Sequence, residues 1–197
     1  MRIIGGRHRG LMLASVGAGD AEARLRPTSD RVRESLYNLL AHGDYGSPPP
    51  PAGRRVLDLF AGTGALGLEA LSRGAGFATF VESGPKALAL LRRNVGLLGA
   101  EEAARVISRD ATRLGRNHEA PADLVLLDPP YGRGLGEAAI ASALAGGWVA
   151  PAALVVWEEA VNPVPPPGLT LLDRRRYGET VISILESRVP LPTFDDA

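Results

Sequence analysis

Val56-Leu57-Asp58-Leu59-Phe60-Ala61-Gly62-Thr63-Gly64-Ala65-Leu66-Gly67 carries the strongest structural signal in the chain. It runs from a short apolar strand through a glycine-rich turn into the start of a helix. Glycines 62, 64 and 67 spell GxGxxG, which permits a tight turn and lets a ligand approach backbone N–H groups near a helix N-terminus. Glu82 ends the next apolar run, where a carboxylate can accept both hydroxyls of a ribose.

On either side of this unit the pattern repeats. Strands are expected at 55–60, 77–82, 104–109, 123–128 and 153–158, with helices at 65–73, 85–98 and 134–145. Leu88, Leu91, Val95 and Leu98 recur at helical spacing, and Pro85 suits a first turn. Such alternation predicts an α/β fold with a mostly parallel, doubly wound sheet. Segments 169–176 and 180–187 read as an antiparallel hairpin that closes it, turning at Tyr177-Gly178-Glu179. Upstream, Val32, Leu36, Leu39 and Leu40 line one face of a helix that Thr28 or Ser29 can cap, with Arg31, Arg33 and Glu34 opposite. The expected organisation is an N-terminal arm and helix at 1–47, a polyproline linker within 48–53, the main domain at 54–190 and a frayed tail at 191–197.

Composition narrows the chemistry. With 197 residues, 45% hydrophobic and 22% charged, the chain suits one soluble domain. No run approaches the roughly 20 apolar residues that span a bilayer, and the N-terminus lacks a signal-peptide core, so a cytoplasmic protein without membrane contact is expected. The absence of cysteine removes disulfides, thiolate metal sites and covalent base chemistry through a thiolate. Three histidines without ligand spacing give a metal little support. The net charge is zero, yet residues 1–35 concentrate Arg2, Arg7, Arg9, Arg24, Arg26, Arg31 and Arg33 against four acids, and Lys86 is the sole lysine. Arginine suits bidentate phosphate contact.

Asp58, at the end of the first strand, would repel a pyrophosphate and attract an ammonium or sulfonium group. S-adenosylmethionine carries both cations and no phosphate. Asp110, followed by Ala111, ends the third strand where it can meet an adenine edge. After the apolar run Leu124–Leu127 comes Asp128-Pro129-Pro130-Tyr131. Its aspartate and a backbone carbonyl can accept the hydrogens of a planar amine, its aromatic can stack on the ring, and its prolines stiffen the turn.

These residues resemble the (D/N)PP(Y/F) class I S-adenosylmethionine-dependent methyltransferases. Arg2-Ile3-Ile4-Gly5-Gly6, Arg9-Gly10 with Leu13, and Arg26-Pro27-Thr28-x-Asp30-Arg31-Val32-Arg33-Glu34 look like the opening blocks of the RsmD family of bacterial small-subunit rRNA guanine-N2 methyltransferases. Leu66-Gly67-Leu68-Glu69-Ala70-Leu71-Ser72-Arg73 continues the likeness, and only the 15–23 stretch and the 48–51 prolines depart from it. The resemblance implies a Rossmann-like fold and a cofactor pocket lined by Asp58, Phe60, Ala61, Gly62, Gly64, Glu82, Asp110 and Ala111. It implies that Asp128, Pro129, Pro130 and Tyr131 hold the base, with 16S rRNA in the small subunit or an assembly intermediate as substrate and a monomer as the working form. Arg2, Arg7, Arg9, Arg26, Arg31 and Arg33 are the expected RNA contacts; Arg174–Arg176 is weaker evidence, because a strand-end charge cluster is commonly just exposed. The rival readings are a DNA adenine-N6 or protein-glutamine methyltransferase, a nucleotide-dependent oxidoreductase, and a binding-only module on the same fold.

Overall fold

The computed structural model describes residues 1–15 and 30–190. The expected caps Thr28 and Ser29, Arg26, most of the 15–23 stretch and the 191–197 tail lie outside them. Among the described residues, seven strands form one sheet in the order β3-β2-β1-β4-β5-β7-β6. Strands β1 (Arg55–Leu59), β2 (Phe77–Glu82), β3 (Ala104–Ser108), β4 (Ala122–Leu127) and β5 (Val149–Glu159) are parallel. The last two, β6 (Leu169–Tyr177) and β7 (Thr180–Ser187), are antiparallel and close the sheet as expected. Tyr177 pairs with Thr180, so the hairpin turns on Gly178-Glu179, with Gly178 at φ 64.

Alternation within the central strands sends side chains to two cores. Val56, Leu124, Leu126 and Val156 pack beneath α1 (Asp30–His42), α2 (Ala65–Ser72) and α3 (Pro85–Leu98), while Leu57, Val125 and Val155 pack against α4 (Leu135–Ala145). Leu124–Leu127 are fully buried, as a run covered on both faces requires. Pro85 opens α3 and Gly99, at φ 61, ends it, so this helix matches its expected span.

Three expectations need correction. The buried face of α1 is Arg33, Leu36, Tyr37 and Leu40, rotated from the one expected, and Val32 and Leu39 sit at its margin. The rotation follows from Tyr37, whose hydroxyl donates to the Leu66 carbonyl at 2.7 Å, and from Arg33, whose guanidinium finds acidic partners in half-exposed Asp30 and buried Glu69. Strand β5 starts earlier than expected: Ala122 pairs with Val149 but Leu124 with Leu154, so the chain bulges between them, with Ala152 at φ 55. The prolines at 48–51 form no extended linker. Pro50 and Pro51 are buried in a turn closed by Ala52 N–H to Pro49 O (3.2 Å) and Arg54 N–H to Pro51 O (3.0 Å).

The N-terminal arm is a small antiparallel loop, closed by Ile3 N–H to Leu11 O and Gly10 N–H to Ile3 O, both 2.9 Å. Ile3 and Leu13 join the same core as Leu68 and Phe80. Buried Glu69 on α2 accepts Ile4 N–H at 2.8 Å and Gly5 N–H at 2.7 Å. Asn94 on α3 accepts Ala14 N–H at 2.7 Å and donates to the carbonyls of Ala14 (3.0 Å) and Thr63 (2.9 Å). The arm is thereby an integral part of the domain.

Candidate active site

The parallel strands end together at one edge, and order reverses between β1 and β4, where an open α/β sheet leaves a crevice. After β1 the chain turns through Phe60 at φ 59, Gly62 at φ 56 and Gly64 at φ 81 into α2. Phe60 holds a conformation that costs a side-chain-bearing residue about 1–3 kcal/mol. Ala61 N–H bonds Val81 O at 3.0 Å and Gly64 N–H bonds Ala61 O at 2.7 Å, so the loop is tied to β2 and to itself.

Glu82 receives three backbone donors. Gly62 N–H reaches Oε2 at 2.8 Å, while Ser83 and Gly84 N–H reach Oε1 at 2.8 and 2.6 Å. This carboxylate is fixed in advance at the carboxyl end of β2. Two donors on Oε1 fill its lone pairs, so Oε2 is the better acceptor for an incoming hydroxyl.

Asp58 departs from the expectation that it faces the ligand. It is 1% exposed, and its Oδ2 accepts Gly67 N–H at 2.9 Å, which fastens the first turn of α2 to β1. Burial raises its carboxyl to about 7; the Gly67 bond opposes that rise and the Glu82 charge adds to it. Gly67 makes this approach possible, because a Cβ there would collide with the Phe80 ring and lie 2.9 Å from Asp58 Oδ2. Asp110 is exposed, and its Oδ1 accepts Thr112 N–H and Oγ1–H, both at 2.8 Å. These bonds, the backbone one foremost, hold its carboxyl below the usual range. Its side chain therefore caps the short turn that contains buried Ala111.

On the other side of the crevice, Asp128 directly follows β4. Leu59 pairs with Leu127 and Leu127 with Trp157, so the ends of β1, β4 and β5 stand side by side. Pro129 is buried and Pro130 exposed. The Tyr131 hydroxyl donates to Glu158 Oε1 at 2.8 Å, and Thr180 at the start of β7 is a second hydrogen-bond partner. Burial first, then the Glu158 charge, push the phenol well above its ordinary value, so Tyr131 is neutral. Its ring is held from two strands before any substrate arrives.

Among the expected RNA contacts, Arg2, Arg7, Arg9 and Arg31 are exposed, Arg2 with an ion pair to Asp30 at 3.8 Å. Arg33 must be removed from that group. It is fully buried, donates to Asp30 Oδ1 at 2.8 Å and Arg2 O at 2.6 Å, and lies 3.7 Å from Glu69. Sequence reasoning also passed over Glu69, Asn94, Glu158 and Thr180. A lone glutamate inside Leu66–Leu71 and an acid at the end of an apolar strand were the available signals for Glu69 and Glu158. Thr180 had none.

The family described as conserved hypothetical protein 95 matches residues 1–186. The chain is similar to ribosomal RNA small subunit methyltransferase D of Escherichia coli K12, at 41% identity over 162 residues, 82% of this chain and 76% of that protein. Its likeness to the Haemophilus influenzae protein of the same name is 36% over 183 residues, 90% of this chain and 89% of that one. Among solved structures, the yhhF protein of Escherichia coli matches with a TM-score of 0.79 at 37% identity, over 96% of this chain and 99% of that one.

Proposed function

The chain belongs to the RsmD family of methyltransferases, and from that premise we propose that it transfers a methyl group from S-adenosylmethionine to the exocyclic N2 of one guanine in small-subunit rRNA. The substrate is the small subunit or an assembly intermediate, and the enzyme acts as a cytoplasmic monomer. The observation that carries this reading is the adjacency of two prepared ends. The Gly62–Gly64 turn with fixed Glu82 stands on β1 and β2, and Asp128–Tyr131 stands on neighbouring β4.

The donor-side residues fit S-adenosylmethionine. Glu82 Oε2 has acceptor capacity for a ribose hydroxyl, and the glycine turn lets a ligand reach the backbone beside α2. When bound, S-adenosylmethionine supplies an electrophilic methyl on a sulfonium. Asp58, whose midpoint burial raises to about 7, shifts toward the anion at neutral pH when a cation lies close.

On the acceptor side, guanine N2 is a weak nucleophile because its lone pair is delocalised into the ring. Asp128 and the Pro129 carbonyl accept its hydrogens, which favours pyramidalisation and turns the lone pair toward the methyl. Tyr131 stacks on the base, a contact worth about 1–3 kcal/mol. Orienting two bound reactants can supply about 7–11 kcal/mol, so the attack needs no strong base, and the proton that the methylated N2 sheds passes to Asp128 or to water. Asp128→Ala tests this: methyl transfer to small subunits should fall by at least about 100-fold while the donor still binds. Near-normal transfer would remove Asp128 from the mechanism, and mass mapping of methylated guanosine in rRNA identifies the acceptor.

A further inference from the structure

The sheet edge beyond the acceptor site carries a groove that the reading above leaves unused. One wall is α1, through Ser35, Asn38 and Leu39, and the other is β6, through Arg175, Arg176 and Tyr177. The strand register puts it at the reactive end of the sheet. Arg175 pairs with Ile182 on β7, and Ile182 pairs with Glu158 on β5. Arg175 is thus two strand spacings, about 10 Å, from Glu158, in a row that leads on to Asp128. Ile182, Leu36 and Tyr177 also pack in one cluster, so the groove opens on the face of the sheet that α1 covers.

Its chemistry is that of a nucleic-acid surface. Arg175 keeps a 58% exposed side chain, and its Nε–H donates to Asp173 Oδ2 at 3.0 Å, which sets the plane of its fork. Arg176 is exposed, Tyr177 is half-buried with its ring against the core, and Asn38 is exposed. Glu34 is exposed on α1 and Glu179 in the turn that follows β6, so the positive charge is local to the arginine pair. Guanidinium groups for phosphates, beside an aromatic and an amide for bases, suit a single RNA strand.

Resting on the rRNA reading, we propose that this groove holds the single-stranded RNA that flanks the target base, with Arg175 on a phosphate, Tyr177 and Asn38 on the nucleosides, and Arg176, which alternation turns to the opposite face of this edge strand, on a phosphate where the RNA crosses the edge. The competing role is protection of an edge strand, which arginines also serve and which predicts no dependence on RNA.

The test uses the full chain with a 16S rRNA fragment and intact small subunits, titrated over a range of KCl. The double variant R175E/R176E should weaken RNA binding by about tenfold or more and lower the salt slope by about one to two. Y177A should weaken binding severalfold and leave the slope unchanged. Melting temperature and S-adenosylmethionine affinity should match wild type in the double variant, which separates a lost contact from a lost fold, and Y177A, whose ring packs on the core, is compared at a temperature where its own melting curve shows it folded. Wild-type affinity and slope in the double variant would overturn the proposal and leave the arginines as edge guards. Methyl transfer is read separately on the same RNA. Arginine-dependent binding without any transfer by the wild type would sink the acceptor reading and keep the groove.

Discussion

At Asp58, burial holds the folded-state carboxyl at about 7, against an ordinary value of 3.8. The folded chain therefore keeps the proton more tightly than the unfolded one. The stability this gives is complete below about pH 4 and is lost as pH rises toward 7. Asp58→Asn, neutral throughout, should gain stability relative to wild type between pH 5 and pH 8 in urea denaturation. A difference that ignores pH would exclude the raised value. Tyr131 supports a second expectation. With its hydroxyl held by Glu158, Tyr131→Phe keeps the ring but frees it to rotate, and kcat should fall on the order of tenfold with KM and donor affinity little changed. Glu158→Gln still accepts the phenol proton and should keep most of the activity, whereas Glu158→Ala should behave like Tyr131→Phe. Equal kcat in all three would mean that the bond positions nothing.

At the scale of elements, apolar periodicity reports packing and leaves polar anchors silent. Helix α3 and the β6–β7 hairpin were legible because proline, glycine and alternation all agreed there. The buried face of α1 was not, because Arg33 reads as a solvated charge until its partners Asp30 and Glu69 are known. The start of β5 was hidden by Pro151 and a bulge, which break the period. In the same way, Asp58, Glu82 and Asp110 were found at strand ends from spacing alone, but the backbone donors that occupy them depend on turns that spacing does not describe. The α2–β1 seam yields a prediction at this scale. Gly67→Ala places a methyl against Phe80 and Asp58, and should cost about 1–3 kcal/mol in chemical denaturation. Loss of donor affinity should accompany it, since the same turn carries Gly62 and Gly64. An unchanged midpoint would show that the seam can open without strain.

Across the whole molecule, the arm, α1 and the parallel sheet share one core, and Glu69 is its polar centre. It serves Ile4, Gly5, Arg73 and Arg33 at once. Glu69→Ala leaves the Arg33 guanidinium with less than its charge requires, and should destabilise the protein by about 3–5 kcal/mol, read as a fall in the urea midpoint. A loss below 1 kcal/mol would mean that Asp30 suffices. Among the described residues no helix is long and apolar enough to cross a membrane. Asn94 bonds the end of the arm through Ala14 and the donor turn through Thr63 with a single amide. A ligand that displaced the end of the arm would pull on Thr63 through this one amide, so RNA on the arm and a donor on the turn would be coupled. By thermodynamic reciprocity, the factor by which RNA alters affinity for the donor equals the factor by which the donor alters affinity for RNA.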